Sequence, residues 1–71
     1  PEQYDNIMQR TRYFWALAWT RLFRGPQEPD KKLYYKKQAN LKWTEYSSWF
    51  GDNKKYQKAN EQAAVYISSL Q

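Results

Sequence analysis

The sequence predicts an all-α fold, a small three-helix up-down-up bundle over residues 1–71. Three observations predict it. Apolar residues recur at helical spacing in three stretches, Gly and Pro fall between those stretches rather than inside them, and no segment alternates apolar and polar with a period of two. The expected helices lie near 3–24, 30–50 and 53–70, and the alternative architecture is a helical hairpin with helix one docked on a partner.

The first helix, Gln3–Arg24, carries Tyr4, Ile7, Met8, Thr11, Phe14, Trp15, Ala18, Trp19 and Leu22 inside a sector roughly 140° wide, which reads as its core face. Arg10, Arg12, Arg21 and Arg24 fall on the other side. Glu2 and Asp5 near the start and Arg21 and Arg24 near the end suit the helix dipole. Gly25 as a left-handed cap and Pro26 as a residue that cannot continue the helix are expected to stop it.

The connector GPQEPD holds two prolines and so reads as a stiff turn, with Asp30 as the expected N-cap of helix two. That helix organises the chain. Tyr35, Ala39, Trp43, Tyr46 and Phe50 share a sector about 80° wide, a face to be buried. Gly51 caps its end and Asp52 or Asn53 starts the next helix, so the short connection forces helices two and three into an antiparallel hairpin. Helix three, Lys54–Leu70, places Tyr56, Ala59, Ala63, Tyr66, Ile67 and Leu70 within about 100°, and its two small residues leave room for large rings on helix two.

Composition narrows the function. A chain of 71 residues buries only about 60% of what its unfolded form exposes, so stability is marginal without good packing or a partner. It contains no Cys and no His, which removes disulfides, thiolate and imidazole metal sites and nucleophile–histidine pairs. Asp5, Asp30, Asp52 and Glu2 sit at helix ends, where capping and dipole effects account for them. Glu45 has no carboxylate neighbour at helical spacing, and Gly25 and Gly51 are isolated, so neither paired acid/base groups nor a phosphate loop is formed. The expectation is a non-enzymatic protein with no cofactor. The longest apolar run, Tyr13–Trp19, is far short of the ~20 residues a transmembrane helix needs.

The net charge of +5 and pI of about 9.6 favour anionic partners, although charge of this size also serves solubility. Arg10, Arg12, Arg21, Arg24, Lys31, Lys32, Lys36, Lys37 and Lys42 are the candidate anion-binding residues. Lysines interleaved with Tyr34, Tyr35 and Trp43 are what single-strand binders use, which makes a nucleic-acid-binding domain one alternative. Trp15, Trp19 and Phe23 among arginines suit a membrane-surface helix, the second alternative.

The run LYYKKQA, KW after it and VYI in helix three resemble the LY…YKQA, KW and AYI stretches of acyl-CoA-binding proteins. In that family a long segment separates the KQA and KW elements. Here Gln38–Ala39 and Lys42–Trp43 lie on one helix, so a ligand cleft is not implied and no residue role is carried over.

The leading expectation is a small accessory subunit or docking domain in a larger protein assembly. Large apolar residues exceed what one core needs. Tyr13 and Leu17 lie on the far side of helix one, and Tyr34 and Trp49 lie off the stripe of helix two, so these four are the expected partner contacts. Pro1 in place of an initiator Met, with abundant Lys, Asn, Gln and Tyr, fits a processed subunit in an intracellular or organellar setting, mitochondrial among the options.

Overall fold

The computed structural model describes residues 2–70, and all regular structure among them is helical. Residues 1 and 71, the ends of the expected domain, and the side chain of Glu2 lie outside what is described. Helix α1 spans Glu2–Arg24, α2 spans Pro29–Phe50, and a 3-10 turn at Lys54–Tyr56 leads into α3 at Gln57–Ser69.

The ends of the helices follow from local chemistry, with two departures from expectation. Helix α2 starts at Pro29, not after Asp30. A residue that precedes proline is pushed out of the helical region, and Glu28 accordingly is extended at φ −63°, ψ 149°, while proline fits the first helical position because no backbone donor is needed there. Asp30 sits in the first turn, where its charge faces the positive end of the dipole. Neither glycine adopts a left-handed conformation. Gly25 continues the last turn of α1, its N–H donating to the carbonyls of Arg21 and Leu22. Gly51 is needed for closeness, since a Cβ there would stand 2.5 Å from the Ser47 carbonyl oxygen. Asn53 caps the 3-10 turn by accepting from the Lys55 N–H at 3.0 Å.

Side-chain pairs set the directions. Gln9 meets Tyr46, Tyr13 meets Trp43 and Trp19 meets Tyr35, so α1 and α2 are antiparallel. Phe50 meets Tyr56, Tyr46 meets Asn60 and Trp43 meets Tyr66, so α2 and α3 are antiparallel too. The chain is therefore an up-down-up bundle in which α1 packs mainly on α2. It measures 42 × 19 × 16 Å, the long axis set by α1, whose 23 residues span about 35 Å. Helix α3 has 13 residues, against 23 in α1 and 22 in α2, so the hairpin of α1 and α2 is the larger part of the bundle.

Trp43 is the centre of the core at 1% exposure. Its ring stacks on Tyr66 at 5.9 Å and 9°, and meets Tyr13 and Tyr46 edge-on at 5.3 and 5.9 Å. Its Nε1–H donates to the buried Thr20 Oγ1 at 2.8 Å, which in turn donates to the Ala16 carbonyl at 2.9 Å. The buried indole nitrogen is thereby satisfied by a residue one helix away, which removes a large desolvation cost.

This arrangement corrects the expected orientation of α1. The helix is turned by almost half a revolution: Ala16, Leu17 and Thr20 are buried, while Tyr4, Ile7, Phe14, Trp15 and Leu22 face out. Tyr13 and Leu17, expected at a partner, belong to this chain's own core, Leu17 at 4% exposure. The cause is volume. Helix α2 presents Trp43 and Tyr46, and a face opposite them must supply small residues, as Ala16 and Thr20 do; the other face would set rings against rings and leave the indole donor without Thr20. The antiparallel register also places Ala16 level with Ala39, both fully buried, where the two helices can approach closely.

The phenol of Tyr46 ties the helices together. It accepts from Gln9 Nε2 at 2.9 Å and donates to Asn60 Oδ1 at 2.8 Å, and Asn60 Nδ2 donates to the Phe50 carbonyl. Burial pushes the ionisation of both Tyr46 and Tyr13 above the ordinary value of 10.0; at Tyr46 the hydrogen bond from Gln9 partly offsets this and Tyr56 adds to it, and at Tyr13 the neighbouring Tyr66 and Tyr46 add to it. The folded state therefore holds these protons more tightly than the unfolded chain. The contribution of the two hydroxyls to stability is fully present below about pH 10 and is lost as the pH rises through their raised values. Thermal melts stepped upward from neutral pH should show the melting temperature steady and then dropping above about pH 10, and Tyr46→Phe should flatten part of that drop. A melting temperature unchanged through full tyrosine ionisation would contradict the burial of these hydroxyls.

Candidate interaction surface

The large apolar residues that the core does not use lie in two sets, on α1 and on α2, with Val65 of α3 exposed by itself. On α1 the outward residues Tyr4, Ile7, Phe14, Trp15 and Leu22 are exposed, Ile7 at 61%. On α2 the exposed residues are Leu33, Tyr34, Leu41 and Trp49, with Leu33 at 71% and Trp49 at 68%. Tyr34 and Trp49 thus stand outside the core, as their position off the helix-two stripe implies. Single exposed apolar residues are ordinary, but this many on a chain of 71 are not.

Tyr34 is anchored rather than free-standing, since its ring meets Trp19 edge-on at 5.9 Å and Tyr35 at 6.0 Å. Trp19 and Phe23 are half-buried in the hairpin, so of the aromatic residues assigned to a membrane-surface helix only Trp15 faces out. The depression at the start of α2, about 630 Å³ and wide open, is lined by Asp30, Leu33, Tyr34, Lys36, Lys37 and Asn40. All six belong to one helix. It is a notch between neighbouring side chains and lacks the converging walls of a small-molecule site.

The basic residues do not form one patch. Arg10, Arg21 and Arg24 on α1 and Lys31 and Lys37 on α2 are exposed, whereas Arg12, Lys32, Lys36 and Lys42 are half-buried. Lys42 lies 3.5 Å from Glu45 and 4.0 Å above the Trp15 ring, and Arg12 reaches the same carboxylate at 3.9 Å and the same ring at 5.7 Å. Lys32 lies 5.7 Å from the Phe23 ring. These three cations already have intramolecular partners. Such half-exposed pairs contribute about 1 kcal/mol or less each, so they organise the surface more than they stabilise the fold. The pairing of Lys42 with Glu45 follows from their three-residue spacing on a helix, a signal present in the sequence. The bridge from Glu45 to Arg12 is not, because it depends on the rotation of α1.

Among the described residues no group of three or more His, Cys, Asp or Glu gathers as metal ligands would, and no helix is long and apolar enough to cross a membrane. No protein family, no curated protein and no solved structure matches the chain.

Proposed function

We propose that this protein is a non-enzymatic interaction module, a small accessory subunit or docking domain held in a larger protein assembly. The observation that carries this reading is the apolar surface of α2. Leu33, Leu41 and Trp49 are spread along the helix, are all exposed, and have no role in a core already closed by Trp43, Tyr46 and Phe50. Large side chains in a partner's pocket are the usual source of binding energy, at ~2 kcal/mol or more for a good anchor.

The test is a triple variant, Leu33→Gln, Leu41→Gln and Trp49→Gln, expressed in the source cell. The expected result is that helix content and melting temperature stay near wild type while the fraction migrating in an assembly larger than two copies of the chain, on native electrophoresis, falls at least tenfold. Unchanged migration overturns the reading. A nucleic-acid reading replaces it if the chain binds a single-stranded oligonucleotide at physiological ionic strength, with log affinity falling linearly in log salt and each Lys→Ala at Lys31 or Lys37 lowering the slope by about one. Binding that vanishes near physiological salt is non-specific charge attraction and leaves the protein-partner reading in place.

A further inference from the structure

The outward face of α1 has an internal order that the α2 surface lacks. Tyr4, Ile7, Thr11, Phe14, Ala18 and Arg21 follow one another at alternating steps of three and four, the spacing of a helix seam, with Leu22 beside its end. No other element of the chain covers this seam. Its large and small members alternate in a particular sequence: Ile7 and Phe14 are large, Thr11 and Ala18 small.

We infer that this face pairs with a second copy of the same chain, α1 against α1 in antiparallel orientation. When two such helices run in opposite directions with residue numbers across the seam summing to about 25, Phe14 of one copy stands against Thr11 of the other and Ile7 against Ala18, while Tyr4 meets Arg21 and Leu22. Each large side chain then faces a small one, and every contact occurs twice, as a two-fold axis requires. A parallel pairing does the opposite. It sets Phe14 on Phe14 and Ile7 on Ile7, leaves gaps between the paired Thr11 and Ala18, and puts the basic last turns of Arg21 and Arg24 side by side.

Helix polarity favours the same orientation. The basic last turns of the two copies are kept apart, and the two helix dipoles oppose each other. The Tyr4 ring is brought to the Arg21 guanidinium, a favourable cation–π pair. The available area sets the strength. Exposed fractions near one half for the four large side chains of the seam, Tyr4, Ile7, Phe14 and Leu22, correspond to roughly 400–500 Å² per copy, about 900 Å² in total, which is the size of a weak, reversible interface, so the dimer is expected in the micromolar range or weaker.

This seam is separate from the α2 surface that carries the proposed function, so the two can fail independently. The experiment is sedimentation of the whole chain from 1 µM to several hundred micromolar, concentrations chosen to bracket the affinity that such an area supports. The expected result is a monomer–dimer equilibrium. The double variant Ile7→Lys and Phe14→Lys should weaken it at least a hundredfold with unchanged helix content, because both side chains are already exposed in the single chain. Trp49→Gln should leave the dimer intact. Orientation is read by crosslinking, which is clean because the chain has no cysteine. An equal mixture of Ile7→Cys and Ala18→Cys chains should form the mixed disulfide at least tenfold faster than either forms its own. Preferential self-crosslinking of Ile7→Cys means a parallel pair and overturns the inference. A chain that stays monomeric throughout overturns it as well, and one that instead partitions onto anionic vesicles, with Phe14→Lys abolishing the effect, assigns the seam to a lipid surface. None of these results touches the assay on α2.

Discussion

Trp43→Ala is expected to unfold the chain or bring it to the edge of unfolding at room temperature. The ring is 1% exposed and contacts rings from all three helices: Tyr13 from α1, Tyr46 from its own helix and Tyr66 from α3. Emptying such a site costs ~3–5 kcal/mol. A domain of 71 residues has roughly 4–11 kcal/mol in all. Because about 1 kcal/mol moves the melting temperature of a domain this size by about 4–8 °C, the expected drop is above about 12 °C and is measured by circular dichroism. Trp43→Phe separates packing from hydrogen bonding. It keeps most of the apolar area but leaves Thr20 Oγ1 without its donor, a loss of about 1 kcal/mol, so it should fold with a modestly lower melting temperature. If Trp43→Ala melts within a few degrees of wild type, Trp43 is not at the centre of the fold.

The same residue explains what could be read in advance. The stripe of α2 was legible because only one of its sides is continuously apolar. Ala39, Trp43, Tyr46 and Phe50 are all buried, and so is Ala63 on α3. The cap was legible to within one residue, Asp52 or Asn53, because it depends on nearby atoms alone, and Asn53 makes it. The rotation of α1 was not. Both sides of that helix carry apolar residues, and a count weighted by hydrophobicity selects the side with the larger ones. Packing selected the other side, because a partner helix that presents Trp43 and Tyr46 needs small residues opposite.

Two polar residues hid the answer further. Gln9 and Asn6 look like surface positions, yet they bond the Tyr46 and Tyr56 hydroxyls at the edge of the core. The useful signal was the pair Ala16 and Thr20, one helical turn apart, a small surface with a hydroxyl facing a helix that presents an indole N–H. For the candidate interaction surface the consequence is an exchange. Tyr13 and Leu17 moved inward, and in their place the α1 seam of Tyr4, Ile7 and Phe14 moved outward, so the excess of large apolar side chains is greater than the sequence pattern alone implied.

Leu70→Ala is expected to release α3 from the hairpin before the hairpin itself unfolds. Leu70 is 1% exposed although it lies one residue past the end of the helix, and its N–H donates to the Ile67 carbonyl at 3.1 Å, closing the last turn over the core. Truncating a buried leucine costs ~2–5 kcal/mol, the upper part of that range applying where the site cannot collapse. The loss falls on the least supported element. Helix α3 is the shortest of the three and is held at its other end by Asn60, through Tyr46 and the Phe50 carbonyl, and by the preceding Tyr56, through Phe50 and Asn6. An isolated helix of 13 residues is marginal in water, so α3 does not persist once detached. The hairpin of α1 and α2 retains the Trp43–Thr20 bond and the contacts of Trp19 with Tyr34 and Tyr35, which α1 and α2 make between themselves. Hydrogen exchange should therefore show protection lost across residues 57–69 by a factor of about 30 or more, with the amides of residues 12–24 and 29–43 much less affected. Melting followed by helix content should no longer coincide with melting followed by tryptophan fluorescence, since Tyr66 leaves the Trp43 ring first. If protection falls equally along all three helices, the bundle unfolds as one unit, and α3 is as firmly integrated as the hairpin it covers.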